Sequence, residues 1–231
     1  MIQIWRYLAL IALFTLSSTA PAQPGSSASR ERILSYSSDI QIGRDAALDV
    51  TETIRIAARG DEFRHGIYRD FPTRARRSGG IAEAGFEVAG VTRDGRPEPW
   101  RRERIDGGVR IRIGDANVFL RPGTHTYRIR YRTTRQIGFL EDRDELYWNV
   151  TGNDWAFAID HAEARVRLPA RVRFGSRSVY TGARGSSQAD ARVTTERPGD
   201  IRIATTRRLE PGEGLTIAIA WRKGVVRPPR P

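Results

Sequence analysis

Apolar and polar side chains alternate with a period of two along most of the chain between residues 31 and 223. In the clearest run the apolar positions share one face of an extended strand: Leu48, Val50, Ile54 and Ile56. The same alternation recurs in later stretches: 109–113, 127–132, 162–168 and 215–221. A period of two is typical of a β-strand with one buried face, and no stretch after residue 22 keeps the 3.6-residue period of a helix.

Short turn motifs rich in glycine and proline separate these predicted strands, among them Asp94-Gly95, Pro122-Gly123 and Pro198-Gly199. Gly and Asp tolerate the backbone angles of tight turns, and Pro presets one of them. Short strands at this spacing predict an all-β fold, an antiparallel immunoglobulin-like β-sandwich. A closed barrel built from the same strands is the alternative.

The N-terminal residues 1–22 have the organisation of a signal peptide. A basic residue, Arg6, precedes an apolar stretch at 7–16, and Ala20-Pro21-Ala22 supplies a small-residue cleavage site. An α-helix of that length rises only about 15 Å, roughly half of a bilayer core, which disfavours a membrane span. An uncleaved anchor is the alternative to cleavage.

The predicted domain is bounded by two irregular segments. Residues 23–30 form a small, polar linker, and residues 224–231 form a Pro- and Arg-rich tail. The β-sandwich domain is therefore predicted to span residues 31–223. The signal peptide predicts export, so we expect the mature domain to be periplasmic or otherwise extracytoplasmic.

The composition is basic and lacks cysteine. The chain has 39 Lys and Arg against 27 Asp and Glu, a formal net charge of +12, and Lys223 is its single lysine. Without cysteine there is no disulfide, no thiol nucleophile and no thiolate metal site. Three histidines leave little for a zinc site. The composition therefore gives no reason to expect a cofactor.

Six stretches resemble those of a known family: VTETI at 50–54, GIYRDFP at 66–72, RIGD at 112–115, GTHTYRIRY at 123–131, ELYWNVTGNDW at 145–155 and WRKGVV at 221–226. On these stretches the chain resembles the domain of unknown function 2207 family of predicted bacterial and archaeal membrane proteins. The resemblance implies a domain that follows a signal peptide, lies outside the membrane and precedes transmembrane helices. We expect membrane attachment if the gene continues past residue 231, and a soluble stand-alone domain otherwise. The family has no established activity, so the resemblance implies no catalytic residue.

Glu52 interrupts the apolar face of its predicted strand, because it shares that face with Val50 and Ile54. Burying a lone carboxylate costs several kcal/mol, so a buried Glu52 needs a charged or hydrogen-bonding partner. We predict a buried ion pair between Glu52 and Arg69. A strand-end carboxylate, a general acid and a ligand-binding role are the alternatives.

Residues 64–70 (RHGIYRD) mix a histidine, two arginines, a tyrosine and a carboxylate. His65 is a candidate base and Arg69 a candidate anion clamp. No serine or second acid lies nearby in sequence to complete a catalytic triad. Gly66 and Pro72 indicate a short strand that enters a turn. We expect local structural pairing here, with His65 and Arg69 kept as ligand-binding candidates.

The stretch at 147–155 holds three aromatic side chains within nine residues. Flat aromatic faces beside amide and hydroxyl groups suit sugar rings. The ligand-binding candidates in this stretch are therefore Tyr147, Trp148, Asn149, Asn153 and Trp155. The alternative is that the two tryptophans are core anchors at a sheet edge, since large aromatic side chains contribute much of the burial energy.

Residues 141–145 place four carboxylates in five positions. Oxygen ligands outside the cell suit calcium, so Asp142 and Asp144 are weak calcium candidates. Against this, Arg143 lies in the middle of the run, and neither a glycine nor the EF-hand spacing is present. We expect a solvated loop.

Five arginines are predicted to form two rows on the outward faces of their strands. One row is Arg128, Arg130 and Arg132, and the other is Arg110 and Arg112. If the two strands pair, one arginine-rich sheet face results. Such a face suits an anionic glycan, lipid headgroups or an acidic partner. Export and the absence of a recognisable binding motif disfavour nucleic acid. A solvated surface neutralised by the acidic residues is the alternative.

These observations favour an exported binding or interaction module of the cell envelope. Its partner is expected to be an envelope protein, a glycan or an anionic surface. We do not expect an enzyme. The alternatives are a carbohydrate-binding module that uses the aromatic residues, an envelope hydrolase that uses paired carboxylates, and a purely structural ectodomain.

Overall fold

The computed structural model describes residues 31–77 and 80–229; the predicted signal peptide (1–22) and linker (23–30) lie outside them. Within the described residues no helix is long and apolar enough to cross a membrane. The strands found there are β1 (Arg32–Ile42), β2 (Leu48–Ala58), β3 (Ile67–Pro72), β4 (Arg74–Arg77), β5 (Gly80–Glu83), β6 (Phe86–Arg93), β7 (Arg96–Pro97), β8 (Trp100–Ile105), β9 (Gly108–Ile113), β10 (Gly123–Thr133), β11 (Ile137–Phe139), β12 (Arg143–Asn149), β13 (Ala162–Arg167), β14 (Phe174–Gly182), β15 (Ala191–Arg197), β16 (Asp200–Thr205) and β17 (Gly214–Arg222).

Eight strands form one large sheet, in the order β15-β16-β13-β1-β2-β10-β6-β7. Neighbouring strands are antiparallel except β1 and β13, which pair in parallel. The alternation in β2 places Ile54 and Ile56 on the buried face and Arg55 on the exposed face, as the period of two predicts. The sheet is open, with β15 and β7 as its edges.

Two smaller sheets share the hydrophobic core of the large sheet. Their strand orders are β11-β12-β17-β14 and β3-β9-β8, and β4 and β5 form a separate hairpin. Buried side chains from all three sheets belong to one contiguous cluster that includes Tyr36, Ile111 and Ile217. Phe71 of β3 packs edge-on against Tyr131 of β10, with ring centroids 4.8 Å apart. The predicted all-β, mainly antiparallel fold is confirmed.

The packed domain extends past the predicted boundary at residue 223. Val225 and Val226 are buried, and the backbone N–H of Arg227 donates to the carbonyl oxygen of Arg44 at 2.8 Å. Burial of two valines stabilises this segment by roughly 1.5–3 kcal/mol for each side chain. The first residues of the Pro- and Arg-rich segment therefore pack onto the domain.

One carboxylate holds the loop between β2 and β3. Glu31 Oε1 accepts hydrogen bonds from the backbone N–H groups of Arg59 and Gly60 at 2.5 and 2.9 Å. Its Oε2 accepts from Glu62 and Phe63 at 2.6 and 2.8 Å. Burial by itself raises the pKa of Glu31, but the four N–H groups outweigh it, and the pKa is lowered overall.

Because folding lowers the pKa of Glu31, its contribution to stability is complete above the ordinary value of 4.5 and is lost as the pH falls through the lower, folded-state pKa. We expect Glu31→Gln to lower the free energy of unfolding by about 1 kcal/mol at neutral pH. The difference between variant and wild type should shrink as the pH falls below 4.5 and through the lower, folded-state pKa. Urea unfolding of both proteins across this range measures it, and a gap that is independent of pH would contradict the prediction.

Candidate functional site

A buried ion pair joins the large sheet to β3. Glu52 is 0% exposed and Arg69 is 4% exposed. Arg69 Nε donates to Glu52 Oε2 at 2.9 Å, and Nη2 donates to Oε1 at 2.9 Å, which makes the contact bidentate. The alternation in β2 and in β3 turns both side chains inward, so the structure contains the pair that the break in the apolar pattern predicts.

Further groups complete the hydrogen bonding of this pair. Tyr131 donates its hydroxyl hydrogen to Glu52 Oε1 at 2.9 Å. Arg69 Nη1 donates to the carbonyl oxygen of Asp70 at 2.7 Å, and Nη2 also donates to that of Val150 at 3.3 Å. Buried charges are tolerated when their remaining donors and acceptors are satisfied in this way. The Glu52–Arg69 pair thus ties together β2, β3, β10 and the chain just after β12.

The protonation states of these donors are fixed. Burial by itself lowers the pKa of Arg69, but the charge of Glu52 more than compensates, so the pKa is raised. Burial raises the pKa of Tyr131 well above its ordinary value, and the charge of Glu52 adds to the effect. Arg69 therefore stays charged and Tyr131 stays neutral, as suits a permanent structural contact.

Arg69 lies in the wall between two cavities. The first, here called the Trp155 cavity, has a volume of about 170 Å³, and its lining includes Phe63, Asp70, Asp154, Trp155 and Phe157. The second, the Trp148 cavity, has a volume of about 310 Å³, and its lining includes Phe71, Phe86, Thr133, Gly138, Tyr147 and Trp148. Arg69 lines both.

The structure brings four of the predicted ligand-binding residues together around the Trp148 cavity: Arg69, Tyr147, Trp148 and Asn149. Trp155 lines the Trp155 cavity instead. Asn153 braces the turn after β12, because its Oδ1 accepts from Asn149 Nδ2 at 2.8 Å and its Nδ2 donates to the carbonyl oxygen of Gly182 at 3.0 Å. The amide side chains of this stretch are therefore already used in the fold.

The tryptophans do not form the exposed sugar-binding platform that the sequence raised. Trp148 and Trp155 are each only 8% exposed, and Trp155 Nε1 donates to the carbonyl oxygen of Thr151 at 2.8 Å. Tyr147 is 61% exposed. A sugar ring stacks on an open aromatic face, so the prediction that uses Trp148 and Trp155 in this way is wrong. Both are core anchors, the alternative stated above.

His65 lies apart from both cavities. Its Nδ1 is 3.0 Å from the carbonyl oxygen of Val118, and its ring packs against Phe119 with centroids 4.5 Å apart. It lines a surface groove with Tyr68 and Trp100, and it is absent from the lining of the Trp148 and Trp155 cavities. The structure thus separates His65 from Arg69, the other candidate in the same stretch.

The structure also separates the two arginine rows. β9, which carries Arg110 and Arg112, lies between β3 and β8, whereas β10 lies between β2 and β6 in the large sheet. The predicted single arginine-rich face is therefore wrong. Alternation determines which face of a strand a residue occupies, but it does not determine the neighbouring strand.

Three of these arginines form ion pairs with carboxylates: Arg110 with Asp70, Arg112 with Glu103, and Arg132 with Asp45 and Asp49. The Arg110 contact is bidentate, with both N···O distances 2.7 Å. Arg128 and Arg130 lie exposed on the outer face of the large sheet. The exposed pairs among these mainly neutralise the surface.

The acidic run at 141–145 is not a calcium site. Asp142 Oδ1 lies 3.0 Å from Arg143 Nη1. Asp144 is only 1% exposed, and its Oδ1 lies 2.8 Å from Nζ of Lys223, the single lysine of the chain. Among the described residues no group of three His, Asp or Glu side chains could hold a metal ion. The calcium candidates Asp142 and Asp144 are therefore wrong, and Asp144 is not part of a solvated loop.

Three carboxylate residues in the described part of the chain line the Trp155 cavity: Glu62, Asp70 and Asp154. Asp70 has both oxygens occupied by Arg110, and Asp154 Oδ1 lies 3.8 Å from Arg184 Nη2. The hydrolase alternative needs an acid and a base on either side of a substrate bond. It stays a prediction.

Residues that the sequence did not single out complete the Trp148 cavity. Phe71 and Phe86 pack with ring centroids 4.4 Å apart, and each contacts Tyr131, at 4.8 and 5.0 Å. Gln136 Nε2 donates to Thr133 Oγ1 at 3.1 Å. Alternation in β10 predicts the burial of Tyr131, but only the folded chain brings β3, β6 and β10 together at this point.

Comparison with known proteins places the chain in context. The family described as "Predicted membrane protein (DUF2207) N-terminal domain" matches residues 32–221. The Uncharacterized protein YciQ of Escherichia coli (strain K12) is 33% identical over 190 residues, 80% of this chain and 30% of YciQ. The chain therefore spans less than a third of that relative's length.

Among solved structures, yeast LTA4 hydrolase in complex with bestatin has a TM-score of 0.52 at 12% identity, over 82% of this chain and 28% of that chain. Native yeast LTA4 hydrolase has a TM-score of 0.52 at 11% identity, over 82% and 29%. At such identity the likeness shows the fold alone. The match over 32–221 and the identity to YciQ show that the chain belongs to the DUF2207 family of predicted membrane proteins and contains its N-terminal domain.

Proposed function

We propose that this domain is an extracytoplasmic binding module of a membrane protein, and that its ligand occupies the Trp148 cavity. The cavity itself carries the proposal. Its volume of about 310 Å³ lies at the lower end of the range of small-molecule sites, about 300–1,000 Å³. Such sites combine apolar walls with a few placed polar groups.

The walls of the Trp148 cavity fit that description. Phe71, Phe86 and Trp148 supply apolar surface, and the ring contacts with Tyr131 hold the two phenylalanines in place. Thr133 and Gln136 supply polar groups, and the two side chains are hydrogen-bonded to each other. A preformed cavity of this kind binds a ligand without the cost of ordering its own side chains.

The buried ion pair supports the same site. Arg69 forms part of the cavity wall, and its guanidinium group is held by two hydrogen bonds to the carboxylate of Glu52. Phe71 lies against that group, with its ring centroid 4.4 Å from Arg69 Cζ. The pair therefore positions the wall residues of β3 relative to the large sheet.

A variant that adds bulk at the lining of the cavity tests the proposal. Gly138 pairs with Glu145 across β11 and β12, and Tyr147 shares that face; all three line the cavity. A Cβ added at Gly138 meets only the carbonyl oxygen of Glu145, at an ordinary 3.6 Å. We expect Gly138→Phe to weaken the binding of a neutral apolar probe, N-phenyl-1-naphthylamine, by about tenfold or more, measured by fluorescence titration.

Gly175 offers a matched control in the same sheet. It lies on β14, outside the cavity, and a Cβ there also meets its nearest atom, the carbonyl oxygen of Ala220, at 3.6 Å. Gly175→Phe should bind the probe as the wild type does. Probe binding that is absent from the wild-type protein, or that is equal in Gly138→Phe and wild type, would overturn the proposed function.

A further inference from the structure

The loop between β9 and β10 presents apolar side chains to solvent. Val118 and Phe119 are 53% and 63% exposed, whereas the next residue, Leu120, is buried. Seven large hydrophobic side chains are exposed in the described part of the chain, and four of them belong to this region: Tyr68, Trp100, Val118 and Phe119. We propose that this loop docks the domain on an anionic lipid bilayer, with Val118 and Phe119 inserted below the headgroups.

The four side chains are connected through His65. The ring of Phe119 lies against that of His65, with centroids 4.5 Å apart. His65 in turn lines a surface groove with Tyr68 and Trp100. Clustered apolar side chains on the surface of a domain mark a site of interaction with a protein or a membrane. None of these residues lines the Trp148 cavity, so the inference goes beyond the proposed function and does not depend on it.

The backbone of the loop favours a bilayer as the partner. The N–H group of Val118 donates to the carbonyl oxygen of Asp115 at 3.1 Å, and that of Leu120 donates to the carbonyl oxygen of Arg64 at 2.7 Å. The carbonyl oxygen of Val118 accepts from His65 Nδ1 at 3.0 Å. Below the headgroups a bilayer offers no partners to polar groups, so a loop that enters it needs its backbone groups bonded beforehand. A protein partner, which brings its own donors and acceptors, makes no such demand.

Cations border the apolar side chains. Arg64 and Arg121 are both exposed, and Arg64 Cζ lies 5.5 Å from the centroid of the Phe119 ring. A long arginine side chain can lie along apolar surface while its charge reaches the headgroup phosphates. Two acids, Glu62 and Asp115, also line the groove, but the chain as a whole carries a net charge of +12, which attracts it to an anionic membrane.

The flanking aromatic residues and the family agree with this partner. Tyr68 and Trp100 combine an apolar ring with a polar group, and side chains of this kind are enriched at the level of the headgroups. The domain is the N-terminal domain of a predicted membrane protein, so a bilayer lies within reach of that protein.

Site-specific labelling tests the proposal on the full chain, which has no cysteine of its own. Phe119→Cys labelled with the fluorophore NBD reports whether position 119 leaves water. We expect its fluorescence to rise about twofold or more with vesicles of equimolar phosphatidylcholine and phosphatidylglycerol, and less with phosphatidylcholine alone. Leu140→Cys is the matched control, because Leu140 is an exposed apolar residue between β11 and β12, and NBD there should respond little.

A second set of variants measures the contribution of the Phe119 ring. With NBD on Val118→Cys, the additional change Phe119→Ser should raise the half-saturating lipid concentration about tenfold, and Leu140→Ser should leave it unchanged. Fluorescence at position 119 that does not rise with the anionic vesicles, or that rises equally at position 140, would overturn the proposal. So would a rise with protein concentration in the absence of lipid, which would show that a second copy covers the loop. Binding of N-phenyl-1-naphthylamine in the Trp148 cavity is a separate measurement, and either result can fail without the other.

Discussion

Glu52→Leu is expected to lower the free energy of unfolding by about 3–5 kcal/mol. The substitution leaves the guanidinium group of Arg69 buried and unpaired, and removing one partner of a buried pair costs about that much. For a domain of this size the change corresponds to a fall in melting temperature of about 10 °C. Urea unfolding followed by circular dichroism measures the free energy, and a thermal scan measures the temperature.

Two further variants separate this effect from a general sensitivity of β2. Asp49 lies on the outward face of the same strand and binds Arg132, and its side chain is 56% exposed. Asp49→Ala should therefore cost about 1 kcal/mol or less. The double variant Glu52→Leu, Arg69→Met removes both charges and should recover much of the loss. A Glu52→Leu protein as stable as wild type would refute the prediction.

The Glu52 variants also connect stability with the proposed site. Because Arg69 and Phe71 lie on the wall of the Trp148 cavity, the double variant keeps an apolar wall but loses the guanidinium group that Phe71 packs against. The ion pair would therefore influence the proposed site only indirectly, by positioning β3.

The buried pair shows how far the sequence can predict such a site. Glu52 breaks a strict alternation of apolar residues, and a carboxylate on a core face requires a partner. The stretch at 66–72 supplies one, because Gly66 and Pro72 bound a strand that is observed as Ile67–Pro72. The two residues are only 17 positions apart in the sequence, so the partner can be sought in a neighbouring segment.

The errors at β12 have one physical source. A period of two across Arg143–Asn149 places Asp144, Leu146 and Trp148 on the buried face and turns Tyr147 outward. Treating the acidic and aromatic residues as separate clusters hides this periodicity. Applied strictly, the same alternation that predicts the other strands assigns Trp148 to the core and removes Asp144 from the calcium candidates.

Which strands pair with each other could not be predicted from the alternation. The runs at 109–113 and 127–132 carry the same alternation of apolar residues and arginines, yet β9 and β10 lie in different sheets. Both strands satisfy the pattern equally well in either sheet, so local periodicity holds no information on their pairing. The Trp148 cavity depends on that pairing, because β3, β6, β10 and β12 all contribute to it.

Gly66→Ala is expected to destabilise the domain by about 3 kcal/mol or more. Gly66 has a φ of +138°, and a Cβ there would lie 1.9 Å from the carbonyl oxygen of Ile113, far inside van der Waals contact. Relief of that clash separates the start of β3 from the end of β9, and the inward side chains of β3 include Arg69 and Phe71. Substitutions that force the backbone to rearrange in this way are among those that lower the free energy of unfolding most.

Gly60 distinguishes this clash from the cost of a left-handed backbone alone. It lies in the same loop with a φ of +91°, and a Cβ added there meets no heavy atom within 4 Å. Gly60→Ala should therefore cost only about 1 kcal/mol, the penalty for a Cβ at positive φ. Urea midpoints of the two variants and hydrogen exchange of the β3 amides measure the difference. Equal losses in both would show that φ, and not the close approach of β3 to β9, limits position 66.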